Sequence, residues 1–188
     1  PWHGDTLINV FSTTKTMSCL ALLVLASRGL VDVDQPVARY WPEFAANGKQ
    51  DVTVRMVLGH RSGVPAVDAA LTLDEVLAWD PVIAAIAAQP PAWEPGSAHG
   101  YHARTFGWIL GELIRRVTGE SAGKHLARTV SCPLGLDYWV GLPAAELPRC
   151  ARLVPPDADH SAAAVLGANS LTVRVMTVTG IVFMPRAC

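Results

Sequence analysis

Apolar residues recur with a helical period along most of this chain. The clearest series lies on one face of a predicted helix and ends before Gly119: Phe106, Ile109, Leu110, Leu113, Ile114 and Val117. Spacings of three and four predict an amphipathic helix that buries this face, and glycine is typical just beyond a helix end. A second helix is predicted from Ser12 to about Arg28. Its apolar residues, which include the run 20–25, occupy nearly every face, so we expect it at the centre of the protein.

Shorter elements are predicted from local start signals. Helices are expected at 54–58 after the cap residue Thr53, after the capping box of Thr72 and Glu75, at 80–88 with proline in the first turn, and at 122–130. Residues 5–11 are expected to be extended, and the Val- and Thr-rich stretch 170–182 is expected to form a strand. The chain is therefore predicted to be mainly α.

Composition excludes several classes of protein. Of the 188 residues, 51% are hydrophobic and 16% are charged, the net charge is −1, and the basic residues are dispersed. A nucleic-acid surface needs a basic patch, so no nucleic-acid partner is expected. The length suits one domain or a little more. The oligomeric state is not predicted.

Neither the cysteines nor the longest apolar run indicates a special environment. The cysteines at 19, 132, 150 and 188 form no CxxC pair, which argues against a zinc or thioredoxin-like site and leaves a disulfide among the last three open. The apolar run 19–26 is shorter than the roughly 20 residues that span a bilayer. No cleavage site follows it, so we expect a cytoplasmic protein without a membrane span.

Ser12-Thr13-Thr14-Lys15 is the segment with the clearest chemical meaning. Residues three apart share a helix face, so an amine at Lys15 is within reach of the Ser12 hydroxyl. A helix start also supplies free backbone N–H groups and the positive end of the dipole, which stabilise an alkoxide. A serine becomes a strong nucleophile only when a base takes its proton.

The alternative interpretation is a helix N-cap serine beside a solvated lysine, because this four-residue pattern is common. Its context favours chemistry, since the pattern opens a helix that is apolar on nearly every face. A lysine one turn into such a helix is difficult to explain as a surface residue.

Other segments in the same order carry a family resemblance. They are His60-Arg61-Ser62-Gly63-Val64-Pro65, then Pro95-Gly96-Ser97, which leads to Tyr101-His102-Ala103. With the SxxK segment, they resemble the β-lactamase superfamily of serine hydrolases over residues 5 to about 155, and the Tyr101 region is most similar to family VIII carboxylesterases. The resemblance implies an acyl-enzyme on Ser12, with Lys15 and Tyr101 handling its proton, and leaves open which of the two is the base. It also implies that the Ser12 N–H forms half of the oxyanion hole.

Two departures qualify what the resemblance implies. Ala103 stands where the family has the asparagine of Tyr-x-Asn, so we expect small carboxylic esters to be preferred over β-lactams. The third motif, Lys-Thr-Gly or His-x-Gly, has no counterpart, since Thr177-Val178-Thr179-Gly180 lacks the lysine. We therefore expect the helical lobe and catalytic helix of a β-lactamase-like α/β (α+β) fold, truncated at both ends, with most of the sheet missing. The expected division is a serine hydrolase region, 1–155, and a loosely patterned tail of unassigned origin, 156–188.

The remaining candidates have weaker signals. His99, His102 and Trp93 are predicted to line the substrate site, and His60, in a turn, to be structural. The histidines lack metal-ligand spacing, so no metal and no cofactor are expected. The set Asp157, Asp159 and His160 suggests a triad, but a Pro-rich loop favours solvated side chains.

Three functional hypotheses follow from this sequence. The first is a serine hydrolase acting on a small-molecule ester or amide, with an ester favoured. The second is β-lactamase or D-amino-acid peptidase-like activity at the same serine. The third is a non-catalytic, truncated family member that acts as a binding module or is inactive.

Overall fold

The computed structural model describes residues 2–154, 170–178 and 181–182. Within these ranges the α-helices are α1 Thr14–Ser27, α2 Val54–Leu58, α3 Leu73–Leu77, α4 Asp80–Ala88, α5 Thr105–Thr118, α6 Ala122–Leu126 and α7 Leu171–Met176. 3-10 turns cover Phe11–Thr13, Val37–Arg39, Pro42–Gly48 and Ala144–Arg149, and a π-helical turn, Ala127–Ser131, continues α6. The only strands in the described residues are β1 Thr177–Val178 and β2 Ile181–Val182, an antiparallel pair. The prediction of a mainly helical chain is confirmed.

The predicted helix starts are found where the capping residues indicated them. The Thr53 hydroxyl accepts the Met56 N–H at 3.1 Å. The Thr72 hydroxyl accepts the Glu75 N–H, and the Glu75 carboxylate accepts the Thr72 N–H, as a capping box requires. Helix α4 has proline in its first turn. Local side-chain chemistry therefore determines where these helices begin.

Helix α5 lies at the centre of the described fold. Phe106, Ile109, Leu110, Leu113 and Ile114 are at most 1% exposed, as the periodicity predicted. The helix packs against α1, α4 and α6, and it ends at Gly119, whose φ of 74° is left-handed. This helix therefore joins the segment that carries Ser12 to the rest of the helical core.

Helix α1 is less enclosed than its sequence predicted. Ala21, Leu22 and Leu25 are buried, but Leu20 and Leu23 are 40% and 46% exposed. The buried residues lie on the side that meets α5 and α6, and no described element covers Leu20 and Leu23. In the described part of the chain, the helix therefore has the predicted central position on one side only.

The two terminal segments form little sheet. Residues 5–11, which the sequence predicted to be extended, form neither a strand nor a helix before Phe11. Their only pairing in the described residues is an isolated parallel bridge between Leu7 and Cys150, and Phe11 begins a 3-10 turn. The stretch predicted as a strand from 170 to 182 contains helix α7 before the short pair β1–β2. Helix α7 buries Val173 and Val175, so packing outweighs the β preference of valine here.

A buried carboxylate connects α5 to the preceding helices. Glu112 is 0% exposed and accepts bonds from Trp79 Nε1 at 3.0 Å, from Arg115 Nε at 2.7 Å and from Arg116 Nε at 2.7 Å. Gly111 allows this approach, since a Cβ there would lie 2.6 Å from the Trp79 ring. The carboxylate is thus fully paired, as a buried charge must be.

Candidate active site

Ser12 and Lys15 lie together at the start of α1. Lys15 Nζ donates to Ser12 Oγ at 3.1 Å. Ser12 is exposed in the 3-10 turn before the helix, and Lys15 is half-buried in its first turn. The three-residue spacing therefore brings the hydroxyl and the amine together, as the sequence predicted.

The backbone before Ser12 has an unusual conformation. Phe11 has a φ of 45°, a left-handed value that is rare for an aromatic residue. The Asn9 side chain accepts the Phe11 N–H at 2.8 Å and holds this turn. Strained residues of this kind cluster at functional sites, where the surrounding structure maintains them. Sequence reasoning missed Asn9, because nothing in its spacing to Ser12 indicates this bond.

Lys15 has a second partner 88 residues away. Its ammonium donates to the Ala103 carbonyl at 2.9 Å. Sequence reasoning considered only the side chain of Ala103, which has no hydrogen-bonding group. The main chain at this position nevertheless holds the lysine, so the loss of asparagine does not leave the amine unsupported.

Tyr101 completes the cluster. Lys15 Nζ, which donates to Ser12 Oγ, lies 4.9 Å from the centre of the Tyr101 ring. Burial raises the pKa of Tyr101, but the bonds to Ser12 and Lys15 and the charge of Lys15 outweigh burial, so the pKa lies below its ordinary value. The structure therefore brings the three predicted catalytic residues together. Their chemical roles remain predictions.

His102 faces the protein interior. It is 0% exposed, with its Nε2 2.7 Å from Ser62 Oγ and its Nδ1 2.5 Å from the Gly100 carbonyl. The carbonyl requires a donor, so Nδ1 carries the proton and the Ser62 hydroxyl donates to Nε2. Burial is the main cause that lowers the pKa of His102, to about 4. Because the ring has no exposed surface, this geometry favours support of the site over the predicted contact with substrate.

The other two predicted substrate-site residues differ in position. The half-buried Trp93 ring packs against the two residues that flank Tyr101. It lies edge-on to His102, with ring centres 5.9 Å apart. A Cβ on Gly100 would lie only 2.5 Å from the Trp93 ring. His99 is exposed, and its ring centre lies 5.9 Å from that of His60. His99 is therefore the better placed of the two to meet a ligand, and its predicted role stays a prediction.

His60 has more contacts with the site than its assignment as a turn residue predicted. Its ring centre lies 5.0 Å from that of Tyr101 and 4.6 Å from that of Phe106, and its Nδ1 accepts the His102 N–H at 3.1 Å. The only sequence signal for this placement was the resemblance of the segment 60–65 to the family. Spacing alone does not bring residue 60 to residue 101.

A cavity of about 390 Å³ flanks the start of α1. Its lining combines the segment 6–10 and Thr14 with Tyr138, Trp139 and Leu142. A second cleft, of about 460 Å³, lies between α4 and α5 beside Trp41, Asp80 and Arg116. The larger cleft is lined by none of the residues of the Ser12 cluster, so size alone does not identify the candidate site.

Within residues 2–154, 170–178 and 181–182, no three His, Cys, Asp or Glu side chains are grouped to hold a metal ion. No helix in those ranges is both long and apolar enough to cross a bilayer. Asp157, Asp159 and His160 lie outside the described residues.

Comparison with known proteins identifies the family. The Beta-lactamase family model matches residues 1–184, so the chain belongs to the β-lactamase family. Together with the helices described above, this match assigns the chain to the helical portion of a β-lactamase-like fold. The match extends beyond residue 155, and the division of the chain at that residue stays a prediction.

Several relatives are similar to this chain. The curated protein "Esterase/beta-lactamase LipL" of Mycobacterium tuberculosis is 39% identical over 88% of this chain and 38% of its own length. A crystal structure of a family VIII carboxylesterase is 48% identical, with a TM-score of 0.79, over 82% of this chain and 43% of that one. A penicillin-binding protein homologue from Caulobacter crescentus is 37% identical, with a TM-score of 0.81, over 100% of this chain and 52% of that one. The chain thus spans about 38% of the length of its curated relative.

Proposed function

We propose that the full-length protein carrying this sequence is a serine hydrolase that cleaves small carboxylic esters through an acyl-enzyme on Ser12. The observation that carries the proposal is the position of Lys15 Nζ, which donates to Ser12 Oγ at 3.1 Å and lies 4.9 Å from the centre of the Tyr101 ring. When deprotonated, either the Lys15 amine or the Tyr101 phenolate is able to take the serine proton, which is what activation of this nucleophile requires.

The proposed reaction has two balanced steps. Ser12 Oγ attacks the ester carbonyl and its proton passes to the Lys15–Tyr101 pair, which then gives a proton to the leaving alkoxide, so that an alcohol departs. Water next attacks the acyl-enzyme carbonyl and gives a proton to the same pair, which passes a proton to Ser12 Oγ as the acyl–oxygen bond breaks, so that the acid is released. The lowered pKa of Tyr101 supports its part in this transfer, because its phenolate forms at lower pH than that of an ordinary tyrosine.

The preference for esters is tested by comparing two substrates. Full-length protein is expected to hydrolyse a short-chain p-nitrophenyl ester with a higher kcat/KM than a chromogenic cephalosporin. The physical reason is Ala103, whose methyl group offers no hydrogen bond to the side-chain amide of a β-lactam. Faster turnover of the cephalosporin would reject the ester proposal in favour of its alternative.

That alternative is a β-lactamase or a D-amino-acid peptidase-like activity at the same serine. It is favoured by the similarity to the penicillin-binding protein homologue over the whole chain. Both functions use the same acyl-enzyme and differ in the group that leaves Ser12. The substrate comparison therefore separates them without altering the protein.

Substitution of Ala103 by asparagine is expected to shift this preference. The new amide side chain supplies a donor and an acceptor beside Lys15, so the ratio of ester to cephalosporin kcat/KM should fall by about tenfold, the equivalent of one hydrogen bond. Ala145→Asn, at an exposed position of the last 3-10 turn, serves as the matched control and should leave the ratio unchanged. An unchanged ratio in Ala103→Asn would remove Ala103 as a determinant of specificity.

A further inference from the structure

The loop that carries Tyr101 is held on both sides by one residue. The His60 carbonyl accepts the Gly100 N–H at 3.1 Å, and His60 Nδ1 accepts the His102 N–H at 3.1 Å. Gly100 and His102 are the residues immediately before and after Tyr101. His60 therefore fixes the backbone at two points that flank the phenol.

The ring of His60 also packs against the group that it holds. Its centre lies 5.0 Å from that of Tyr101 and 4.6 Å from that of Phe106. The Lys15 ammonium lies over the same two rings, at 4.9 Å from Tyr101 and 6.0 Å from Phe106. The His60 ring and the Lys15 ammonium thus both lie near the rings of Tyr101 and Phe106. These two rings connect the imidazole to the amine.

The backbone of His60 is held in a costly conformation to make these contacts. Its φ is 57°, in the left-handed region, which is uncommon for residues other than glycine although asparagine, aspartate and histidine adopt it more often than the rest. Such a conformation persists only where the surrounding structure fixes it, and it is concentrated at sites that need a defined geometry. Here the carbonyl and the ring of one residue are both directed at the segment 100–102.

The bond from the His102 N–H requires an imidazole whose Nδ1 carries no proton, because only then does Nδ1 accept. The groups facing the ring favour that state. Burial is the main cause that lowers the pKa of His60, and the nearby His99 and Lys15 lower it further. His102 also faces the ring, and its own pKa lies near 4, so it is neutral at neutral pH. At neutral pH the acceptor at Nδ1 is therefore available.

We propose that His60 is the positioning residue of Tyr101: its carbonyl and its Nδ1 clamp the backbone on either side of the tyrosine and hold the phenol against Ser12 and Lys15. The contacts of His60 with this site are to the tyrosine ring and to the backbone that flanks it, so it acts through Tyr101. This inference rests on the proposed function for its kinetic consequence, and its structural part is measured separately.

The test compares two variants that both tolerate a positive φ. His60→Asn keeps a side-chain acceptor near the position of Nδ1, whereas His60→Gly removes it. In full-length protein, His60→Gly is expected to lower kcat for a p-nitrophenyl ester by about tenfold or more, with a smaller change in KM, because displacement of a catalytic group slows the chemical step. His60→Asn should retain most of kcat.

A second readout does not depend on turnover. Tyrosine labelled with 13C at Cζ reports the pKa of each phenol by NMR, and Tyr101→Phe identifies the Tyr101 signal. His60→Gly should raise the pKa of Tyr101 towards the ordinary value of about 10, since the phenol moves away from Ser12 and Lys15. His60→Asn should leave it near that of the wild type. If His60→Gly does not fold, judged by its thermal melt, His60→Asn decides the question: a pKa of Tyr101 well above the wild-type value in this folded variant overturns the clamp.

The outcomes are distinct. The clamp is supported if His60→Gly lowers kcat and raises the pKa of Tyr101 while His60→Asn keeps both values near those of the wild type. An unchanged pKa of Tyr101 in a folded glycine variant, or an asparagine variant as impaired as glycine, overturns it. If the wild-type protein turns over no ester, the proposed function fails while the pKa measurement still decides the role of His60.

Discussion

Replacing Lys15 with methionine is expected to reduce ester turnover by about a thousandfold, within the range that one positioned acid–base group contributes. Methionine has a similar length and fills similar space, but it removes the amine that donates to Ser12 Oγ at 3.1 Å and to the Ala103 carbonyl at 2.9 Å. Of the Lys15–Tyr101 pair proposed to accept and return the proton of Ser12, only Tyr101 then remains. The measurement is kcat/KM for a p-nitrophenyl ester in full-length protein, together with a thermal melt.

The matched control is Lys124→Met, which makes the same change at an exposed lysine of α6. It should leave kcat/KM within about twofold of the wild type, because it lies outside the Ser12 cluster. Lys15→Arg distinguishes two roles for the amine. A guanidinium keeps the positive charge but does not give up its proton, so a lysine that acts as a base is not replaced by arginine. Full activity in Lys15→Met would exclude the amine from the chemistry.

Glu112→Ala is expected to produce the largest loss of stability, about 2 to 4 kcal/mol. The substitution removes the shared acceptor of Trp79, Arg115 and Arg116 from a site that is 0% exposed. Arg115 and Arg116 are 42% and 28% exposed, so water compensates part of the loss at their guanidinium groups. The Trp79 N–H, packed against Gly111, has less access to such compensation. Urea unfolding followed by circular dichroism measures the difference.

Asp34→Ala is the control for Glu112→Ala. It also removes a carboxylate that binds an arginine through two bonds, but Asp34 and Arg55 are 66% and 64% exposed, so little stability should be lost. An equal loss in the two variants would show that burial of Glu112 does not matter.

The effect of Glu112 should also depend on pH. Burial raises the pKa of Glu112, but bonds from Arg115, Arg116 and Trp79 outweigh it, so the folded-state pKa lies below the unfolded one. The stability that the carboxylate contributes is then present above the unfolded-state pKa, about 4.3, and is lost as the pH falls through the folded-state pKa. The difference between wild type and Glu112→Ala should therefore shrink in acid. A difference that grows in acid would contradict this order of pKa values.

Most of the helical framework was predictable because its signals are local. The capping box of Thr72 and Glu75 and the periodicity of α5 act within a few residues, so the sequence alone indicates where these elements begin and which face they bury. The exposure of Leu20 and Leu23 was not predictable in this way. A run of apolar residues indicates which side chains prefer burial, but it does not show which face of the helix a neighbouring element covers.

In the candidate site, too, only the contact between residues close in sequence was predictable from spacing. The contact between Ser12 and Lys15 follows from a spacing of three on a helix. The approach of Tyr101, 86 positions beyond Lys15, required the family resemblance, since no local rule joins the two segments. The bond to the Ala103 carbonyl and the clamp at His60 involve main-chain atoms, which every residue carries. Their alignment depends on φ values such as that of His60, and a side-chain pattern does not encode these directly.

The central claim is that Ser12 is the nucleophile of this cluster, and labelling with a fluorophosphonate tests it most directly. Full-length wild-type protein and Ser12→Ala are treated with the probe, and the modified peptide is located by mass spectrometry. We expect one phosphonate per wild-type chain, attached to Ser12, and none on folded Ser12→Ala. A label on a different residue, or equal labelling of Ser12→Ala, would contradict the account.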